Sequence, residues 1–141
     1  MIDIKIFNKS NLKKIPRKKI ENAVCAVCVG EKCKEIEIRI IYENNEAIHT
    51  LNRKYLGHDY PTDVITFPLE ERPLEGEIYS SVDIAQIQAL EYAESLTTVL
   101  VRLAVHGVLH LLGYDDSTDE ERNQMNELET YYINYTCTPK K

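Results

Sequence analysis

The 141-residue chain lacks most of the features that assign a sequence to a special class. It has no long hydrophobic run: the most apolar stretch, Val99 to Leu112, is broken by Arg102, His106 and His110, and is too short and too polar to cross a bilayer. It has no charged-then-apolar leader, because MIDIKIFNKS alternates instead, so the expected location is cytoplasmic, with no membrane partner. It has no excess of basic residues. The balance of 17 Lys and Arg against 23 Asp and Glu gives a net charge of −6, which does not advertise nucleic-acid binding.

Four cysteines are present, at 25, 28, 33 and 137, but no second C-x-x-C and no cysteine–histidine pair follows at finger spacing. With no export signal they are expected to be reduced. Cys25 and Cys28 fall in KIENAVCAVCVG, where Ile20, Val24, Val27 and Cys28 share a helical face, and they read as small core fillers. No internal repeat, low-complexity segment or linker is visible, so residues 1–141 are expected to form one domain, with 135–141 a frayed tail.

What is present reads as strands first and helices last. IDIKIF (2–7) alternates as a half-buried strand does, and Pro16 suits the first turn of a helix that ends at Gly30. IEIRIIY (36–42) is a second strand, and Asn44 can cap a helix carrying Ala47, Ile48, Leu51 and Tyr55. GHDYPTD is a turn-rich loop, VITF (64–67) a short strand closed by Pro68, EERPLEG a loop, and EIYSSV a fourth strand. Two tightly joined helices are expected over 83–95 and 97–112. A last helix, capped by Ser117 with Glu120, would carry Glu127, Leu128, Tyr131 and Tyr132. The class is α+β, one sheet packed on helices. Charge is uneven: residues 1–20 hold seven basic side chains against one acid, and 117–130 hold five acids against one arginine.

The chemistry concentrates in VHGVLHLLGYDD. Residues four apart on a helix stack on one face, so His106 and His110 point the same way out of a helix that is otherwise apolar nearly all round. Two imidazoles on one stripe can be satisfied together by a metal ion, and helical H-x-x-x-H is the ordinary way to present two nitrogens to zinc. Gly113 can take the left-handed conformation that ends the helix, and Asp115 or Asp116 can then bring a carboxylate back as third ligand. Three protein ligands leave a fourth position open, the layout of a catalytic site.

At this point the chain resembles the YbeY family, bacterial endoribonucleases and ribosomal RNA maturation factors. HGVLHLLGYDD is similar to that family's H-G-x-L-H-L-x-G-Y-D-H, and LNRKYLGHDYPTDVITFP (51–68) to its L-N-x-x-Y-R-x-x-D-x-x-T-D-V-L-S-F-P. GEIYSS (76–81) resembles its G-D-I-x-I-S strand, so the likeness spans about residues 36–132. The resemblance implies a metzincin-like fold: a four-stranded mixed sheet and a central helix carrying the ligands of one zinc ion per chain. It implies a metal-dependent, single-strand-directed endoribonuclease acting on ribosomal RNA, with RNA and the small ribosomal subunit as partners. A second reading is a ribosome-assembly or RNA-binding factor whose metal is mainly structural.

Three departures and absences matter. Asp116 stands where the signature has its third histidine; it is the expected ligand, with Asp115 the rival, and a carboxylate there makes other divalent ions competitive. Leu56 stands where the pattern has an arginine thought to assist at the phosphate, and an aliphatic side chain cannot neutralise a phosphoryl oxygen. Arg102, on the stripe of His106 and His110, is either a substitute phosphate contact or an arginine reaching from a buried helix to solvent or to an acidic partner. Gly107 follows the first histidine, where H-E-x-x-H proteases carry their glutamate, which argues against a protease. Asp63 is read as a loop cap, with a role behind a ligand histidine as the alternative; His49 and His58 are read as exposed, with no chemistry.

Overall fold

The computed structural model describes residues 1–134, so the expected frayed tail at 135–141 lies outside the described residues. Strands β1 (Ile2–Asn8), β2 (Ile36–Glu43), β3 (Val64–Glu71) and β4 (Leu74–Ser81) form one sheet in the order β1-β2-β4-β3. β1 and β2 run parallel, as do β2 and β4, whereas β3 is an antiparallel edge strand on β4. The sheet is mixed and four-stranded, as expected.

The helices are α1 (Arg17–Gly30), α2 (Asn45–Leu51), α3 (Val82–Glu91), α4 (Leu96–Leu111) and α5 (Asp119–Asn134), with one wide helical turn, Asn52–Leu56, continuing α2. The apolar face of the sheet carries Ile36, Ile38, Ile40 and Tyr42 of β2 and Ile78 of β4, all at most 2% exposed. α4 lies against it and also touches α1, α3 and α5, which is why α4 is apolar on nearly every side. Gly107 is required by that packing. A Cβ at 107 would stand 2.8 Å from Cγ2 of Ile78, so only glycine lets α4 approach β4 this closely.

Several boundaries differ from the sequence reading for identifiable reasons. β3 runs past Pro68 to Glu71 and β4 begins at Leu74, so of the segment read as a loop only Arg72 and Pro73 turn the chain. An edge strand tolerates proline, and a register shift between Pro68 and Glu70 absorbs the irregularity. α3 stops at Glu91 because Ala93 turns left-handed (φ +53°), and Ser95 opens α4 instead, its hydroxyl accepting from the Thr98 amide. The capping box of α5 is shifted by one: Thr118 Oγ1 accepts from the Glu121 amide, and Glu121 reaches back to the amides of Ser117 and Thr118. Asn44 precedes α2 but its side chain holds Asn11 and Asp83 and does not cap the helix. The buried face of α5 is Met125, Glu129 and Tyr132, while Tyr131 is 57% exposed.

Cys28 is fully buried in the core, where burial pushes its thiol up to about 12. It is a core filler, as expected. Cys25 is half-buried, and Cys28 and Cys33 are free thiols, so the C-x-x-C pair does not bond with itself. Cys137 lies outside the described residues.

Candidate metal centre

α4 ends in a turn that the sequence specifies residue by residue. Gly113 takes φ +106°, its amide donates to the His110 carbonyl at 3.0 Å, and the Tyr114 amide donates to the Leu109 carbonyl at 3.0 Å. That bonding pattern satisfies the last carbonyls of the helix and folds the chain back over its own end. Asp115 then accepts from the Asp116 amide (2.9 Å) and the Ser117 hydroxyl (3.3 Å), so its carboxylate is turned into the loop. Asp116 is the one that faces the histidines.

His106, His110 and Asp116 come together as a group able to hold a metal ion. Nε2 of His106 lies 3.1 Å from Nε2 of His110, and Oδ2 of Asp116 lies 3.4 and 3.5 Å from those two nitrogens. Ligands about 2.0–2.1 Å from a tetrahedral ion stand about 3.3–3.4 Å apart. The observed triangle is therefore the right size for one such ion. Both imidazoles are partly exposed rather than buried, with side chains 20% and 26% accessible, so the triangle opens to solvent. It opens into a cleft of about 650 Å³ also bordered by Leu56, Thr62, Asp63 and Glu71.

Sequence reasoning missed Glu129. Its Oε2 lies 2.6 Å from Nδ1 of His106, and its Oε1 accepts from Arg102 Nη1 at 3.0 Å, although Glu129 itself is only 7% exposed. Nδ1–H donated to that carboxylate leaves Nε2 of His106 as the free lone pair, aimed at the triangle. Burial works against a charged His106. The hydrogen bond to Glu129 and the charges of Glu129, Asp116 and Asp63 together outweigh it, and the imidazole is held above the ordinary histidine range. The available signal was a lone acid on the buried stripe Met125–Glu129–Tyr132 of α5.

Arg102 is occupied by α5: it donates to Glu129, to Asn126 Oδ1 (3.2 Å) and to Thr130 Oγ1 (3.3 Å). It also borders a smaller cavity beside His106 and Asp116. Asp63 accepts from the Val64 amide (2.8 Å) and from Gln88 Nε2 (3.2 Å), tying the loop before β3 to α3 at the cleft wall. Leu56 lies on the cleft and is 48% exposed. None of the basic residues of 13–19 borders the cleft, and Lys19 shares a cavity with Thr97 and Thr98 at the opposite end of α4 from the histidines.

Known proteins of similar sequence and fold place the chain in a family. A family model described as Endoribonuclease YbeY matches residues 4–136. Endoribonuclease YbeY of Chloroherpeton thalassium is 37% identical over 129 residues, 91% of this chain and 92% of that protein. The protein of the same name from Chlorobium phaeobacteroides is 45% identical over 100 residues, 70% of each. The solution structure of TM1509 from Thermotoga maritima superposes with a TM-score of 0.65 at 31% identity, covering 92% of this chain and 86% of that one. With the family model spanning most of the chain and a relative 37% identical over 91% of it, the chain belongs to the YbeY family.

Proposed function

We propose that the protein is a metal-dependent endoribonuclease that cuts single-stranded RNA in the cytoplasm, with ribosomal RNA of the small subunit as its substrate. The observation that carries this reading is the triangle of His106, His110 and Asp116 at the floor of an open cleft, in a chain of this family. His106, His110 and Asp116 would hold one divalent ion, zinc by its imidazole pair, with the carboxylate admitting harder ions. Such an ion supplies Lewis acidity toward a phosphoryl oxygen and acidifies water at the site.

The chain's own residues do the rest. Glu129 fixes the His106 tautomer, and Arg102 holds Glu129 in place from the side away from the imidazole. A phosphate contact by Arg102 would draw on donors that α5 now occupies, so support of Glu129 is the role assigned to it. Asp63 keeps the cleft wall in register. Gly107 leaves no carboxylate beside the site of the kind an H-E-x-x-H protease uses, and the Ile78 contact leaves no room for one.

Leu56 at the cleft favours attention to the second reading, an RNA-binding assembly factor, because the cleft lacks the family's arginine. One experiment separates them: cleavage of ribosomal RNA across zinc, manganese and magnesium by wild type and by the His106→Ala, His110→Ala double variant. Loss of cleavage in a folded variant supports the nuclease. Equal residual cleavage in both supports the binding factor.

A further inference from the structure

The loop between the wide turn and β3 carries two rings that the metal centre does not use. His58 and Tyr60 stack face to face, with ring centroids 5.3 Å apart and planes 9° apart, and Tyr60 is 52% exposed. The two ends of this loop, Leu56 on one side and Thr62 and Asp63 on the other, border the metal cleft. Tyr60 is two residues from Thr62, so its backbone lies within about 7 Å of the cleft wall.

The stack is not needed to hold the loop. The buried side chain of Asn52 donates to the Tyr60 carbonyl at 2.8 Å, and the His58 amide donates to the Asn52 carbonyl at 3.2 Å. Asp59, between the two rings, is clamped by His49 Nε2 at 2.8 Å and Arg53 Nη1 at 3.5 Å. Gly57 (φ +73°) supplies the left-handed residue at which the chain reverses. The backbone is fixed by these contacts, and the rings are left stacked and presented to solvent. An aromatic pair presented to solvent, on a loop whose two ends border a cleft with no lysine or arginine among the described residues, fits a strand held there by a base rather than by its phosphates.

We propose that the free face of Tyr60, backed by His58, is a stacking site for one unpaired nucleobase of an RNA strand lying in the metal cleft. The inference rests on the nuclease reading for its ligand. It adds how the strand is gripped where the family's arginine is absent: by a base, next to the phosphate held at the metal.

The test is a binding cycle on the full-length, metal-loaded chain. The probes are fluorescent single-stranded oligoribonucleotides, intact or carrying one abasic nucleotide at each position in turn, read while the RNA is still uncut. Tyr60→Ala and Tyr60→Leu are expected to weaken binding of intact RNA about tenfold, with the salt dependence unchanged because the tyrosine ring carries no charge to pair with a phosphate. Tyr60→Phe and Tyr60→Trp keep wild-type affinity. One abasic position weakens the wild type by a similar factor and has no further effect on Tyr60→Ala, because base and ring are partners. Tyr60→Ala binding as tightly as wild type, or an abasic effect that persists undiminished in Tyr60→Ala, overturns the proposal. Thermal melting of each variant confirms that it is folded, and Tyr60→Leu preserves bulk without the ring. A wild type that neither binds nor cuts single-stranded RNA overturns the nuclease reading itself, which is a different result from an intact wild type with an indifferent Tyr60.

Discussion

Replacing Glu129 by glutamine keeps the shape of the side chain and one acceptor oxygen but removes its charge, and both of its partners feel the change. His106 Nδ1 (2.6 Å) and Arg102 Nη1 (3.0 Å) use different carboxylate oxygens, so glutamine can accept from only one of them and turns an NH2 toward the other. Hydrogen bonds to charged groups contribute about 1.5–3 kcal/mol, so the loss of one should lower the stability of the metal-free protein by about 2 kcal/mol. The larger effect falls on the metal. Outer partners of ligand histidines are worth about 10–100-fold in affinity. Zinc binding by Glu129→Gln, measured at pH 8 by competition with a chelating dye, should weaken by that factor.

The sign of the pH dependence gives a second check. Glu129 holds His106 above the ordinary histidine pKa of about 6.5. In the metal-free wild type this pairing therefore contributes stability that is fully present below about pH 6.5 and fades as pH rises through the raised value. Metal binding needs the neutral imidazole, so it runs the other way: zinc should raise the melting temperature more at pH 8 than at pH 6. Protons compete less strongly in the variant, so its affinity deficit should narrow as pH falls. A variant that binds zinc within about twofold of wild type at pH 8, while folded, would show that Glu129 does not support the ligand.

Asp116→His should keep the fold, because the position follows the helix-ending turn and is 38% exposed, and it should shift the site's preference from manganese toward zinc; calorimetric titrations with both ions check this, and an unchanged ratio removes Asp116 from the ligand set. Gly107→Ala should destabilise the protein by about 1–3 kcal/mol despite the better helix propensity of alanine, since its Cβ meets Ile78; an unchanged denaturant midpoint would mean that α4 and β4 can move apart at little cost. Reversing the charges of Lys13, Lys14 and Lys18 should weaken RNA binding and flatten its salt dependence by about 0.7 for each phosphate no longer neutralised, leaving zinc affinity untouched, because none of the three borders the metal cleft.

The parts of the site that were legible in the sequence are those made by one continuous stretch of chain. His106, His110 and the carboxylates share a helix and its terminal turn, so a period of 3.6 and the conformational freedom of Gly113 place them without knowledge of the rest. Glu129 lies 23 residues beyond His106 on another helix, and no local period connects the two. Only the packing of α5 on α4 makes it a buried partner. Gly107 shows the same limit: its absence of a carboxylate was readable, but the contact with Ile78 that demands glycine was not. At the level of the fold, the sheet and helices follow from alternation and apolar stripes. The errors sit at β3, where an edge position overrode proline, at the end of α3, where Ala93 turns left-handed, and at the start of α5, where Ser117 and Thr118 competed for one cap.

The two departures from the family pattern meet at one place, and their electrostatic consequences add. Leu56 and Asp116 both border the cleft, together with the acids Asp63 and Glu71, and among the described residues no lysine or arginine lines it. Arg102 and Arg122 border the adjoining cavity, but Arg102 is committed to α5, and Arg122 to Asp119 and to the carbonyls of Asp116 and Ser117. With an arginine at 56 and a neutral histidine at 116, the same cleft would carry two more units of positive charge. As it stands, a phosphate entering it meets carboxylates, and a divalent ion held by His106, His110 and Asp116 is the compensating charge. Metal should therefore matter for binding RNA as well as for cutting it. Chelation is expected to weaken single-stranded RNA binding by wild type, and the effect should be strongest at low ionic strength, where charge in the cleft is least screened. The double variant Leu56→Arg, Asp116→His, which restores the missing charge, should bind RNA more tightly without metal and lose less on chelation. If both proteins respond equally to chelation, the charge of the cleft does not govern RNA entry. The basic segment outside the cleft would then be the dominant electrostatic contact.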